Sequence, residues 1–276
     1  FMGTGSSSGT PSIRCAMRML ECKACKDAIS NPDSKNNRGN PSLLIKFKPK
    51  KASESEPDAP KTILIDVCKT FKRSALRWFP KYGITEIDAV ILTHEHADAT
   101  HGLDDFREIQ GATVASWSEG ERPEPVSVYL SAATYAVVDR VFPYLTRQPE
   151  TEAAKARMVT QLRFSVVEEL KEFEVAGLTF RALPLEHGLD CIAFGFEFGT
   201  VDRVVYLSDF HNIPDRTMAA LMERPIAVLI LDSLLPDRDM ASHIGLPTAL
   251  QLAERIGARR TLLVGMSHAM GDHDEV

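Results

Sequence analysis

Residues 91–105, with the sequence ILTHEHADATHGLDD, restrict the fold of this chain more than any other stretch. The apolar run AVIL at residues 89–92 predicts a buried strand that ends at Thr93. His94, His96 and Asp98 alternate just past that strand end, so their side chains can converge on one point. Imidazole nitrogen and carboxylate oxygen are ligands that zinc prefers. Three of only 8 histidines fall within eight residues here, which favours a metal site over an incidental polar loop.

Metal-binding residue types also follow other apolar runs of the chain. Asp66 ends TILID, His187 ends LTFRALPLEH, Asp209 follows VVYLS, and His268 follows TLLVGMS. The same rule therefore predicts several strand ends that carry a ligand or a side chain that orients one.

In this order the segments resemble the five motifs of the metallo-β-lactamase-fold hydrolases, over nearly the whole chain. The resemblance implies an α/β fold (α+β in some schemes), a four-layer αββα sandwich of two mixed β-sheets, formed as a single domain over 1–276. It also implies a role for each motif residue. The first cation would take His94, His96 and His187.

The second cation would share Asp209 as a bridge and would be completed by Asp98 and His268. Asp66 would orient the metal-binding loop through hydrogen bonds without ligating. A plain strand-end cap at Asp66 and a helix N-cap at Asp209 are the alternatives.

One position departs from the family. The common pattern places a histidine directly after the motif aspartate, and here that position is Ala99. The second site therefore has one protein ligand fewer, to be filled by water or left weaker. His101, two residues later, is a further possible ligand, unless the helix expected near Thr100 turns it to solvent.

The five cysteines form two groups. Cys68 and Cys191 lie in apolar contexts and are expected to be small buried side chains. Cys15, Cys22 and Cys25 cluster, and a CxxC pair alone is compatible with redox chemistry, a disulfide or half of a zinc site.

The cluster and the opening GTGSSSGTP resemble the phosphonate-pathway cyclic phosphodiesterase subgroup, where three Cys and one His hold a structural zinc. Carried over, the ligands would be Cys15, Cys22, Cys25 and His273.

Composition limits the function. A net charge of −6 argues against a basic nucleic-acid-binding surface, and a chain that is 44% hydrophobic can bury a large core. No apolar run reaches membrane-span length and no signal peptide is visible, so we expect a cytoplasmic enzyme that does not bind membranes. A homodimer is left open.

The periodicity predicts strands and helices along the chain. The strands are predicted at 42–48, 62–67, 89–93, 126–130, 162–167, 173–182, 192–198, 203–207, 226–231 and 261–265. The helices are predicted at 71–82, 102–110, 132–144, 151–159, 215–223 and 247–256. A charged, Pro/Ser-rich surface loop is expected near 49–61.

These features predict a hydrolase that uses one or two Zn²⁺ or Mn²⁺ ions. A divalent cation lowers the pKa of bound water and supplies a hydroxide nucleophile. Asp98 would orient or deprotonate that water, and His243, before an amphipathic helix, is predicted as general acid or phosphate ligand.

The predicted substrate is a small phosphate diester, and the resemblance to the cyclic phosphodiesterase subgroup implies that it can be cyclic. Thioester, lactone or lactam hydrolysis, tRNA 3′ processing and a non-catalytic metal-stabilised module are the alternatives. The chain has neither a G-x-S-x-G elbow nor a P-loop.

Overall fold

The computed structural model describes residues 1–49, 59–111, 117, 121–147, 157–199 and 201–275. Most of the predicted loop near 49–61 and of the predicted helix at 151–159 lies outside these residues. The chain forms two compact units. The first unit comprises residues 1–41, 169–173 and 179–276, and the second comprises residues 42–168 and 174–178.

Five strands form the sheet of the second unit. They are β1 Leu43–Phe47, β2 Lys61–Ile65, β3 Ala89–Ile91, β4 Val126–Leu130 and β5 Leu162–Val166. They lie in sequence order, with β1 antiparallel to β2 and the other pairs parallel. The central strands are runs of β-branched and aliphatic residues, which suits a sheet buried on both faces.

Six strands form the other sheet, in the order β11-β10-β9-β8-β7-β6. They are β6 Glu172–Val175, β7 Leu178–His187, β8 Cys191–Phe198, β9 Val204–Leu207, β10 Val228–Asp232 and β11 Arg260–Val264. β9, β10 and β11 are parallel, whereas β7 with β8 and β8 with β9 are antiparallel. The chain thus has two mixed sheets, and the predicted α/β fold class is confirmed.

The single strand predicted at 173–182 is wrong, because β6 and β7 are separate strands. Ala176 and Gly177, between them, both have positive φ, 51° and 87°. Two consecutive residues of this kind make the tight turn that suits a hairpin.

The described part of the chain forms nine helices, two of them before β1. They are α1 Ile13–Arg18, α2 Lys23–Ser30, α3 Phe71–Tyr82, α4 Ala97–Thr100, α5 Phe106–Ile109, α6 Ala132–Val141, α7 Pro143–Thr146, α8 Asp215–Met222 and α9 Leu246–Ile256. Short 3₁₀ turns lie at Leu103–Asp105 and His268–Met270. Along the described residues, no helix combines the length and the apolarity needed to cross a bilayer.

The predicted helices at 71–82, 215–223 and 247–256 are confirmed within a residue. The helix predicted at 102–110 is instead a 3₁₀ turn followed by α5, and the one predicted at 132–144 breaks at Phe142, where Pro143 starts α7. A proline has no N–H to donate and favours the first turn of a helix, so it begins a new one here.

The core of the first unit packs β7, β9 and β10 against α8 and α9. Its fully buried members include Leu185, Val205, Leu207, Leu229 and Leu231. Burying each such side chain contributes about 1.5–3 kcal/mol. The parallel strands β9 and β10 therefore have a rigid base, from which the residues beyond their carboxyl ends are held in place.

A buried ion-pair group also stabilises this unit. Glu197 on β8 and Arg203 are both 4% exposed and are paired, and Arg181 Nε lies 3.0 Å from Glu197 Oε1. Burial alone would raise the pKa of Glu197, but the hydrogen bonds and charges of Arg203 and Arg181 together outweigh it and hold the pKa below its usual range.

Candidate metal centres

Asp66 and Thr93 define the strand-end loop of the second unit. β2 and β3 are parallel, so the residues after them lie at one edge of the sheet. Asp66 has φ 62°, and its N–H donates to the Ile91 carbonyl at 2.9 Å. Its carboxylate accepts the Thr93 backbone N–H and the Thr93 hydroxyl, each at 2.8 Å. Asp66 thereby holds the loop from which the next residue, His94, projects.

The hydroxyl of Thr93 also fixes the proton on His94. Because that hydroxyl donates its hydrogen to Asp66, it can only accept from Nδ1 of His94, 2.8 Å away. The lone pair of this buried ring is therefore on Nε2. His96 is exposed, and its ring lies edge-on to that of His94 with centroids 4.7 Å apart. A histidine whose second nitrogen is held in this way is typical of a metal ligand.

The motif continues into α4, which begins at Ala97, earlier than the start expected near Thr100. Asp98 is buried in its first turn, and Ala99 is buried with only a methyl group where the family pattern has a histidine. His101 is exposed at the end of this turn, and its ring packs edge-on to Phe142 with centroids 5.5 Å apart. The structure thus gives His101 an aromatic neighbour.

His187, Asp209 and His243 come together in the first unit. His187 is the last residue of β7, Asp209 lies two residues beyond β9, and His243 lies in the loop before α9. One ligand atom of each lies within 4.8 Å of the others. Asp209 is buried with φ 54°, a conformation that costs energy in a residue other than glycine and is commonly found at functional sites. It does not cap a helix, since α8 begins at Asp215 after Pro214.

Both histidines of this group are oriented by an oxygen acceptor. His187 Nδ1 lies 2.9 Å from the Ser242 carbonyl oxygen, and His243 Nδ1 lies 2.8 Å from Asp232 Oδ2. A carbonyl oxygen accepts only, so Nδ1 of His187 carries its proton. Asp232, at the end of β10, is fully buried, and burial raises its pKa while His243 opposes the rise.

The sequence interpretation missed Asp232. The rule that identified the other residues also applies to it, because Asp232 is an acidic residue at the end of the apolar run AVLILD.

The three clustered cysteines meet His268. Its Nδ1 lies 3.6 Å from Cys15 Sγ and 3.5 Å from Cys22 Sγ, and Cys25 completes a group of four whose ligand atoms lie within 4.8 Å of one another. Cys25 Sγ accepts the Ser12 N–H at 3.3 Å. Burial raises the pKa of Cys25 to about 12, so this thiol stays neutral unless a cation binds it.

This placement corrects two sequence assignments. The fourth member of the cysteine group is His268, and not His273, whose backbone N–H donates to Asn36 Oδ1 at 2.9 Å. His268 in turn is held by the cysteines and not by the acidic residues predicted for a second catalytic cation.

The cause is a tertiary contact of Arg38, a buried residue. Its guanidinium donates to the carbonyls of Ser267 and Gly271, at 3.0 and 2.7 Å, which fixes the 3₁₀ turn that carries His268.

Comparison with known proteins decides the family. A family model described as the Beta-lactamase superfamily domain matches residues 61–266. The chain belongs to this superfamily. The expected family and its fold are thereby confirmed, and the coarse function is that of a metallo-β-lactamase superfamily hydrolase.

Three individual proteins show what this chain is similar to. One similar protein is described as a new diphosphatase from the PhnP family and has a crystal structure. Its sequence is 29% identical to this chain, and the two structures superpose with a TM-score of 0.72 over 99% of this chain and 88% of that chain. Zn²⁺-bound PqqB from Methylobacterium extorquens is 18% identical, with a TM-score of 0.66, over 97% and 88%. An octanoyltransferase of Porphyromonas gingivalis is 28% identical over the full 276 residues. The chain spans 47% of that protein, about half its length.

Proposed function

We propose that this protein is a metal-dependent phosphodiesterase that cleaves small phosphate esters. The observation that carries the proposal is the hydrogen bonding of Nδ1 on two of the strand-end histidines. His94 and His187 each have Nδ1 held by an oxygen, which directs the lone pair to Nε2. This arrangement suits metal ligation. The similarity to the PhnP-family diphosphatase, over 99% of the chain, favours a phosphate substrate.

The residues present fit a divalent cation. Following the family pattern, His94, His96 and His187 would hold it, and Asp98 and Asp209 would supply carboxylates. Asp98 and Asp209 are both buried, and a buried carboxylate gains from a cation that compensates its charge. When bound, a cation such as Zn²⁺ or Mn²⁺ lowers the pKa of water and offsets charge on a phosphoryl oxygen.

The chain's own residues position this chemistry. The buried carboxylate of Asp66 binds Thr93 through two hydrogen bonds, and Thr93 in turn holds Nδ1 of His94. The order Asp66–Thr93–His94 therefore fixes the ring before any ligand arrives. This saves the ordering of a flexible side chain on binding.

The activity test uses bis(p-nitrophenyl) phosphate with added Mn²⁺ or Zn²⁺. We expect turnover by the wild-type protein and its loss in His94→Ala, because a ligand is removed. His101→Ala is the matched control and should retain turnover, since its ring packs against Phe142. Turnover that persists in His94→Ala, or no turnover of any phosphodiester, would contradict the proposal.

A second candidate is thioester hydrolysis. It is favoured by the octanoyltransferase relative, whose name indicates acyl transfer, although this chain spans about half of that protein. Octanoyl-CoA and bis(p-nitrophenyl) phosphate assayed side by side separate the two. Metal-dependent release of CoA without release of p-nitrophenol would decide for the thioester.

We also propose that Cys15, Cys22, Cys25 and His268 hold a structural zinc. Three thiols and one imidazole form a closed tetrahedral set, which has no open position for catalysis. The N–H of Ser12 donates to Cys25 Sγ, a contact that stabilises a thiolate.

The zinc assignment is tested with Cys25→Ser. This variant should lose one zinc per chain and unfold at a lower temperature, because the metal binds the folded state. Cys68 is also a buried thiol but lies outside the cysteine group, so Cys68→Ser should keep the zinc content of the wild type. Equal zinc content in both variants would contradict the assignment.

A further inference from the structure

We infer that His243 is a ligand of the active-centre cation, shared with His187 and Asp209. The inference rests on the metal dependence proposed above and differs from the general-acid role predicted from the sequence. It assigns to the first unit a His₂–carboxylate set drawn from the end of β7, the end of β9 and the loop before α9.

The spacing of the three groups fits a single cation. One ligand atom of each lies within 4.8 Å of the others. Zinc binds imidazole nitrogen and carboxylate oxygen at about 2.0–2.2 Å, so two ligands of one ion stand at most about 4 Å apart. A side-chain adjustment of less than about 1 Å therefore completes the coordination. The rings of His187 and His243 have centroids 5.0 Å apart, at an angle of 73°.

The hydrogen bonds of His243 are those of a metal ligand. Its Nδ1 is held at 2.8 Å by the fully buried carboxylate of Asp232, which places the lone pair on Nε2. A histidine between a carboxylate and a cation is the recurring arrangement in metal sites, where the carboxylate orients the ring and increases its basicity. His187 has the same arrangement, with the Ser242 carbonyl in place of the carboxylate.

The neighbouring His211 shows the opposite arrangement. Its Nδ1 accepts the N–H of Gly188 at 3.2 Å, so its proton is on Nε2. An imidazole in that tautomer cannot offer Nε2 to a cation. The structure thus distinguishes two histidines of one unit by their hydrogen-bond partners.

The loop that carries His243 is built to hold it. The Ile244 N–H donates to the Phe210 carbonyl at 3.1 Å, and its side chain is 1% exposed. The Met240 N–H donates to the His243 carbonyl at 2.8 Å. The loop is therefore tied to the residue that follows Asp209, which couples the positions of the two ligands.

The other histidines of the first unit are engaged elsewhere. His268 lies with the three cysteines, and the exposed His273 is held through its backbone by Asn36. The end of β11 cannot supply a ligand either. A Cβ at Gly265 would lie 1.9 Å from Asp232 Oδ1, and this residue has φ 74°. His243 is thus the nitrogen donor that the first unit offers beside His187.

The test compares zinc affinity in the wild type, His243→Ala and the control His211→Ala. Zinc bound by thiolates is first quantified by its release with a mercurial, and the remaining zinc is titrated against a chromophoric chelator. We expect His243→Ala to weaken binding of the remaining zinc by about 100-fold or more, and His211→Ala to change it by less than about 3-fold. Asp232→Asn should cost about 10–100-fold, because it only orients the ligand.

His243→Gln keeps the size of the side chain and replaces His243→Ala if that variant does not fold. Co²⁺ then reports the same loss through its visible absorption, which depends on ligand number. Unchanged zinc affinity in a folded His243 variant that has lost hydrolysis would overturn the inference and support the general acid. The wild type could bind the zinc that the cysteines do not hold and yet hydrolyse no ester. The proposed function would then fail, but the zinc affinities of the variants would still decide the role of His243.

Discussion

Thr93→Val tests how the protein orients His94. The substitution keeps the shape of the side chain and removes the hydroxyl that joins Asp66 Oδ2 to His94 Nδ1, with 2.8 Å on each side. Thr93 is 0% exposed, so water cannot replace the hydroxyl. The backbone bond from Thr93 N–H to Asp66 remains, so the loop keeps one of its two ties.

The magnitude follows from the two groups that lose a partner. Leaving a buried polar group unsatisfied costs about 1–3 kcal/mol, so with two such groups we expect the free energy of unfolding to fall by about 2–6 kcal/mol. Loss of an orienting partner lowers metal affinity by about 10–100-fold. That corresponds to about 1.4–2.7 kcal/mol of binding free energy.

The assay combines urea unfolding of the metal-free protein with zinc titration. Thr160→Val is the matched control, because Thr160 is 2% exposed and its hydroxyl donates to the Leu103 and Asp104 carbonyls at 3.3 and 3.0 Å. It should lose comparable stability and keep its zinc affinity. Equal zinc affinities in Thr93→Val and the wild type would refute the reasoning.

Two further predictions concern stability in the first unit. Glu197→Gln leaves the buried Arg203 without a counter-charge and should cost about 3–5 kcal/mol in urea unfolding. Because the pKa of Glu197 is lowered in the folded state, its contribution to stability is complete above the unfolded pKa of about 4.3 and is lost as pH falls through the folded pKa. The stability of the wild type should therefore fall more in acid than that of Glu197→Gln. Equal acid sensitivity of the two proteins would contradict the assignment. Gly265→Ala should cost at least twice the roughly 1–2 kcal/mol of Gly257→Ala, because both have positive φ but only the former meets Asp232. Similar melting temperatures for the two would show that the contact is not tight.

Most of the fold could be predicted from hydrophobic periodicity. The strands before Asp66, Thr93 and Asp209 are short apolar runs, and each was placed within about two residues of its observed ends. The hairpin at Ala176 and Gly177 was missed because apolar and polar residues alternate on both sides of it in EFEVAGLTF. α1 and α2 were missed because they are short, with 6 and 8 residues.

The sequence identified those site residues that are metal-binding types at the end of an apolar strand. The choice between His268 and His273 was not, because it depends on Arg38 holding the 267–271 turn from a distant part of the sequence. The role proposed for His243 was also beyond the sequence, since it depends on a hydrogen bond from its Nδ1 to Asp232, eleven positions earlier.

X-ray diffraction from zinc-loaded crystals, recorded at the zinc absorption edge, tests the central claim most directly. The account predicts one anomalous peak about 2 Å from Nε2 of His187 and from a carboxylate oxygen of Asp209, and a separate peak about 2.3 Å from the sulfur of Cys25. A map of folded, zinc-saturated protein with density at the cysteines alone would contradict it.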